Sequence, residues 1–241
     1  MIALPSSKPS FDARRSRSGI ALLAILGTAS FATAGDPSPK VNGKEFESQY
    51  LENVTQLTDT SMGLGKAGEA YFSPDGKSII FQATPAGQSE YQIYTLDLAK
   101  RTPKMVSTGK GACTCAFFHP NGRNIIYASS HLDPTLGQPK PPKDSKGYAW
   151  DFNEYMDIFE ADLDGGNLHR LTDAPGYDAE GSYSPDGKSI VFTSMRDGDQ
   201  EIYVMDADGK NQRRLTDGKG YDGGPFFSPD GKTILYRGDR R

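Results

Sequence analysis

One five-residue turn sequence recurs along the chain. Ser73-Pro74-Asp75-Gly76-Lys77 returns as His119-Pro120-Asn121-Gly122-Arg123, as Ser184-Pro185-Asp186-Gly187-Lys188 and as Ser228-Pro229-Asp230-Gly231-Lys232, at steps of 46, 65 and 44 residues. A second marker, Leu-Thr-Asp, begins at Leu57, Leu171 and Leu215. Leu171, Leu215 and a degenerate copy at Val106 each precede the next turn by 13 residues, and Leu57 precedes it by 16. A third marker is a short run ending in acid: Ile93–Asp97, Ile158–Asp162 and Ile202–Asp206. Three markers in fixed order define one structural unit copied along the chain, so the fold must be a repeat architecture.

Residues 178–216 show what the unit is. A first strand ends at Tyr183, and Ser184-Pro185-Asp186-Gly187 reverses the chain. Pro presets φ there, and Gly accepts the positive φ that closes a hairpin. Ser189–Thr193 is β-branched and aromatic, the second strand. Arg196–Asp199 turns again, Glu201–Met205 is the third strand, Asp208-Gly209 is the next tight turn, and Gln212–Thr216 is the fourth. Four strands per roughly 40–50 residues make a β-propeller blade. The expected fold is all-β, a propeller of four-stranded antiparallel blades. Residues 66–107, 112–172 and 178–216 give three blades, and 222–237 give the first hairpin of a fourth. Val54–Thr58 reads as a lone fourth strand that would complete the last blade in a closed ring. Propellers close with about four to eight blades. The expectation is therefore an incomplete propeller, part of a longer one, with unpaired blade faces and strand edges.

The succession SPDGK, IVFTS, IYVMDADG and RRLTD resembles the repeat of the TolB-like propeller family of the Gram-negative periplasm. The resemblance covers residues 54–241. It implies a non-enzymatic scaffold without a cofactor, binding a protein or peptide partner in the cell envelope. That family carries a separate α/β domain ahead of its propeller. Here residues 35–53 read as a polar linker, so the expectation is a propeller without that domain. Similar repeats build the substrate-gating propellers of secreted peptidases of the prolyl oligopeptidase type, which implies an alternative: a peptidase propeller whose catalytic domain lies outside this chain. Because propellers host unrelated activities, a carbohydrate- or metal-binding propeller is a third reading.

Residues 1–34 read as a secretory signal peptide. Arg14, Arg15 and Arg17 precede an apolar run from Gly19 to Phe31, and Ala32-Thr33-Ala34 supplies a small-x-small cleavage site. The run is too short for a membrane span of about 20 residues. The expected location is the periplasm, as a soluble exported protein. The chain's net charge of −4 argues against a nucleic-acid binder resting on phosphate contacts.

Catalytic motifs fail on inspection. Gly181-Ser182-Tyr183-Ser184 lacks the second Gly of G-x-S-x-G, and Gly63, Gly65 and Gly68 precede a strand rather than a helix. His119, His131 and His169 stand at no metal or triad spacing. The innermost strands are better candidates. Counting back from each turn aligns Glu69, Cys115, Glu180 and Gly224, and two positions earlier Cys113, Asp178 and Asp222. By strand alternation each i, i+2 pair shares a face. Glu69, Asp178, Glu180 and Asp222 are thus expected to line the central tunnel and make a negative funnel for a cation or a basic peptide segment. They could equally bond Thr side chains or backbone amides of a neighbouring blade. Cys113 and Cys115 read first as structural or free thiols, then as a strained disulfide, and last as metal ligands. The second candidate is the insertion His131–Trp150, which lengthens blade two between its second and third strands. It is Pro-rich and carries Tyr148 and the sole Trp, Trp150, so His131, Tyr148 and Trp150 are candidate contacts.

Overall fold

The computed structural model describes residues 50–138 and 152–239. Tyr50–Asn53 carry no strand; every strand among the described residues lies in the unit that begins at Val54. Among the described residues there are fourteen strands and one 3-10 turn. Blade one holds β1 (Leu64–Phe72), β2 (Ser78–Pro85), β3 (Gln92–Asp97) and β4 (Pro103–Met105). Blade two holds β5 (Cys113–Phe118), β6 (Asn124–Ser129), β7 (Asp157–Asp162) and β8 (His169–Arg170). Blade three holds β9 (Asp178–Tyr183), β10 (Ser189–Ser194), β11 (Glu201–Asp206) and β12 (Arg213–Arg214). β13 (Asp222–Phe227) and β14 (Ile234–Gly238) form a two-stranded fourth sheet. Each complete sheet is antiparallel in chain order, so the structure is an incomplete β-propeller.

The turn marker is built by its own side chains. Ser184 Oγ donates to Asp186 Oδ1 at 2.7 Å and accepts the Ser189 N–H at 3.0 Å. Ser73 and Ser228 repeat both bonds. In blade two His119 takes the serine's place: its Nδ1 accepts the Asn121 N–H at 2.9 Å, and Nε2 lies 3.2 Å from the Gly187 carbonyl of the next blade. The Leu-Thr-Asp marker ties third strand to fourth. Thr172 Oγ1 accepts the Ile158 N–H at 2.9 Å and donates to Asp157, while Ser107 and Thr216 do the same for Ile93 with Gln92 and Ile202 with Glu201.

The core lies between blades. Ile80, Ile93 and Val106 of blade one pack with Phe118, Ile125 and Tyr127 of blade two. Ile126, Ile158 and Leu171 of blade two pack with Ile190, Phe192 and Met205 of blade three. Both faces of a second strand are therefore covered, and Ile190–Ser194 are all buried.

Val54–Thr58 departs from expectation: it is not a strand. A fourth strand needs a third strand beside it, and the fourth sheet has only β13 and β14. Leu57 and Met62 instead pack on the cluster of Leu64, Ile79, Phe81 and Leu96 on the outer face of blade one. The longer interval before the first turn holds the 3-10 turn Thr60–Met62.

Candidate axial site

Every first strand carries a register shift at the same place. The shifts fall between Gly68 and Ala70 in β1, between Thr114 and Phe117 in β5, opposite Val191–Thr193 in β9, and between Gly223 and Phe226 in β13. At each shift one residue is left-handed: Glu69 (φ 48°), Cys115 (54°), Glu180 (57°) and Gly224 (61°). These are the four positions that counting back from the turns aligned. An L-residue held there costs roughly 1–2 kcal/mol, so something must hold it. Glu180 Oε2 accepts the Gly224 N–H at 2.7 Å and the Thr193 hydroxyl at 2.8 Å. The Cys115 N–H donates to Gln82 Oε1 of blade one at 3.2 Å.

These bulges turn Glu69, Cys115 and Glu180 into a cavity of about 930 Å³. Two residues beyond the bulges of blades one, two and four stand Tyr71, Phe117 and Phe226, whose rings meet with centroids 5.1, 5.8 and 6.1 Å apart; blade three has Ser182 there. Tyr221 and Arg237 complete the polar side. Arg237 Nη2 donates to Tyr221 Oη at 2.8 Å, its guanidinium lies 5.5 Å from the Tyr221 ring centroid, and Nη2 is 3.4 Å from Glu180 Oε1. That contact is loose and the Arg237 side chain is 70% exposed, so a cation is held in the cavity without being buried.

Glu69 keeps contact with solvent, yet the surrounding protein and then the nearby Glu180 carboxylate push its carboxyl pKa up. Burial raises the Cys115 thiol as well, with Glu69 adding to it, so the sulfur is a thiol and not a nucleophilic thiolate. Tyr71 is raised by burial and by Glu69.

The other two tunnel acids are elsewhere. Asp178 and Asp222 are buried at the starts of β9 and β13, where their N–H groups bond the Met156 and Gln200 carbonyls of the preceding blade. Neither borders the axial cavity. Asp178 Oδ2 accepts from Arg196 Nη2 at 2.8 Å, and burial outweighs Arg196 in raising its pKa. The reason is the bulge, which breaks strict alternation so that residues two apart no longer share a face. Cys113 diverges from Cys115 in the same way: its Sγ lies 3.1 Å from Ser129 Oγ, and both cysteines are free.

At the insertion, His131 Nδ1 is 2.9 Å from Ser129 Oγ and the ring packs on Phe159 at 4.5 Å. Burial, then Arg170 and Lys110, lower its pKa. Tyr148 and Trp150 lie outside the described residues. Sequence reasoning missed Tyr71, Tyr221, Phe226 and Arg237. The signal was present, since Tyr71, Phe117 and Phe226 hold equivalent positions in the repeat. Among the described residues no group of three or more His, Cys, Asp or Glu is placed to hold a metal, and no helix is long and apolar enough to cross a membrane.

Known proteins share this blade. No protein-family model matches the chain. The Tol-Pal system protein TolB of Bordetella pertussis is 51% identical over 39 residues, which is 16% of this chain and 9% of that protein. The crystal structure of TolB from Acinetobacter baumannii superposes with a TM-score of 0.53 at 27% identity, over 71% of this chain and 37% of that one. A structure of the nidogen/laminin complex shares the fold at a TM-score of 0.52 and 19% identity, over 69% of this chain and 54% of that one. The chain thus spans about a tenth of the length of the curated relatives it matches and just over a third of the solved TolB. Repeat, sheet order and sequence agree: these blades are a TolB-like β-propeller.

Proposed function

We propose that this protein is an exported, non-enzymatic propeller scaffold that binds a protein or peptide partner of the cell envelope in its axial cavity. The carrying observation is the cavity wall: three packed aromatic rings beside the carboxylates of Glu69 and Glu180, with Arg237 loosely held between Glu180 and Tyr221. Aromatic surface next to a few polar groups is what anchors a peptide side chain. The contacts of Arg237 with a carboxylate and a Tyr ring support a basic side chain as the group this wall would take. Similarity to a Tol-Pal system protein supports an envelope partner. The insertion, with His131 at its root and Tyr148 and Trp150 within it, is the second contact in this reading.

The test is capture of envelope proteins by the purified, immobilised chain, with wild type set beside Glu69→Gln and Phe226→Ala. One partner should be retained by wild type and lost from both variants while their folding is unchanged. Equal capture by all three sinks the axial reading. Export is tested separately: the mature protein should begin at Gly35, and an intact Met1 in the cytoplasmic fraction refutes it.

A further inference from the structure

The turn between first and second strands carries an acid at the same place in three sheets: Asp75, Asp186 and Asp230. Each accepts the N–H two residues on, of Lys77, Lys188 or Lys232, at 3.1 Å. Blade two has the amide Asn121 there, followed by Gly122. It is the one Asn-Gly pair among the described residues; Asn42-Gly43 lies outside them. Such a pair can react with itself. Glycine puts no side chain in the path of its own nitrogen, so that nitrogen can reach the amide carbon of the residue before it. The acid turns resist. An ionised carboxylate is a poor target, and hydrogen bonds from Ser73, Ser184 and Ser228, then from backbone N–H groups, hold the three carboxyl pKa values low.

Asn121 is exposed, yet both groups that would react are pinned. The Gly122 N–H donates to the His119 carbonyl at 2.9 Å. Asn121 Oδ1 accepts the Arg123 N–H at 2.7 Å and the Asn124 N–H at 3.3 Å, and Nδ2 donates to Asn124 Oδ1 at 3.1 Å. His119 locks the turn to the next blade. Its Nδ1 accepts the Asn121 N–H at 2.9 Å, so Nε2 carries the ring proton and donates to the Gly187 carbonyl of blade three at 3.2 Å. Ring closure must break the bond from Gly122 to His119 and turn the pinned amide. The reaction therefore belongs to a turn that has opened.

We propose that Asn121 is a self-modification site that records opening of the joint between blades two and three. In the opened turn Gly122 N gives its proton to water and bonds to Asn121 Cγ. The Cγ–Nδ2 bond breaks, and ammonia leaves with a proton from water. Water then opens the cyclic imide at either carbonyl. Attack at Cγ restores the backbone with aspartate at 121, and attack at the main-chain carbon routes the chain through the side chain as isoaspartate. Aspartate suits the turn, since Asp75, Asp186 and Asp230 already occupy its equivalents. Isoaspartate lengthens the backbone before Gly122 and strains the closing bond from the His119 N–H to the Asn124 carbonyl. Either product outlasts the opening that made it. The site lies apart from the axial cavity, so the proposal stands without that reading.

The full chain is kept at neutral pH, folded and in guanidinium chloride, then digested and read by mass spectrometry, which separates Asn121 from Asn42. The proposal expects aspartate and isoaspartate at 121, forming about tenfold or more slower in the folded chain. His119→Ala, which unlocks the turn, should speed the reaction in the folded chain. Gly76→Ala, which loosens the matching turn of blade one, should not. Asn121→Asp should keep the wild-type melting temperature. An unchanged Asn121 in the unfolded chain, equal rates with and without denaturant, equal acceleration by Gly76→Ala, or a lowered melting temperature in Asn121→Asp overturns the proposal.

Discussion

Glu180 holds a bulge in one blade and the start of the next. Its carboxylate accepts from Thr193 and from the Gly224 N–H, and it meets Arg237. Glu180→Ala leaves the Thr193 hydroxyl and a backbone N–H without that acceptor. The expected loss is about 1–3 kcal/mol by urea denaturation, with Glu180→Gln losing less because one oxygen remains. An unchanged midpoint for the alanine variant would mean that water replaces the carboxylate freely. At the insertion, Trp150→Ala is expected to cut partner affinity by ~2 kcal/mol and to leave the melting temperature in place; lost stability with intact capture would remove Trp150 from the binding surface. Counting back from the turns found Glu69 and Glu180 because the repeat fixes that distance. The same count misplaced Asp178 and Asp222, because the left-handed residue two positions on, Glu180 or Gly224, breaks the alternation, and such a residue does not show in the sequence when it is a Glu or a Cys. Only at Gly224 did the residue type itself point to positive φ. Arg237 was illegible for another reason: its role depends on β13 packing against β9, which brings the β14 side chain to Glu180 of the preceding blade.

At the scale of the element, the turns and second strands were the most legible parts. Pro and Gly mark the turns, and the β-branched runs between them have no helical period. What the pattern did not show is that successive turns touch. Gly187 and Gly76 occupy the same turn position at φ 70° and 68°. A Cβ at Gly187 would sit 2.5 Å from His119 Cε1, whereas one at Gly76 meets nothing within 4 Å. Both alanine variants should lose roughly 1–2 kcal/mol to the left-handed backbone, and Gly187→Ala should lose more. In a His119→Ala background that excess should disappear. Equal losses in wild type would show that His119 moves aside without cost. Val54–Thr58 was misread as a strand because its Leu-Thr marker matches the fourth strands; the match is real, but a ladder requires a neighbour that this sequence does not put beside it.

For the whole molecule, the blade order and the broken ring were readable from marker spacing alone, whereas the charge balance of the interior was not. Asp157 is buried with its pKa pushed up to about 6, chiefly by desolvation, and Asp178 is raised in the same sense. A carboxyl raised on folding penalises the folded state while ionised. That penalty is present above pH 6 and falls away as the pH drops toward the unfolded value. Asp75, Asp186 and Asp230 run the other way, held low first by their turn serines and then by backbone N–H groups, and their contribution is lost only as the pH falls below about 4. The melting temperature should therefore rise from pH 7 to pH 5 and fall again below pH 4, and Asp157→Asn should flatten the upper limb. A profile that falls steadily from pH 7 would contradict the assignment. The placing of the interior apolar clusters between consecutive blades, with none shared by all, has its own consequence. Cohesion here passes mainly from neighbour to neighbour, as in a stack, and the rings of Tyr71, Phe117 and Phe226 at the axis are what joins blade one to the fourth sheet. A lineage could lengthen or shorten such a chain by copying or deleting one unit, because each copy brings half of the next joint with it.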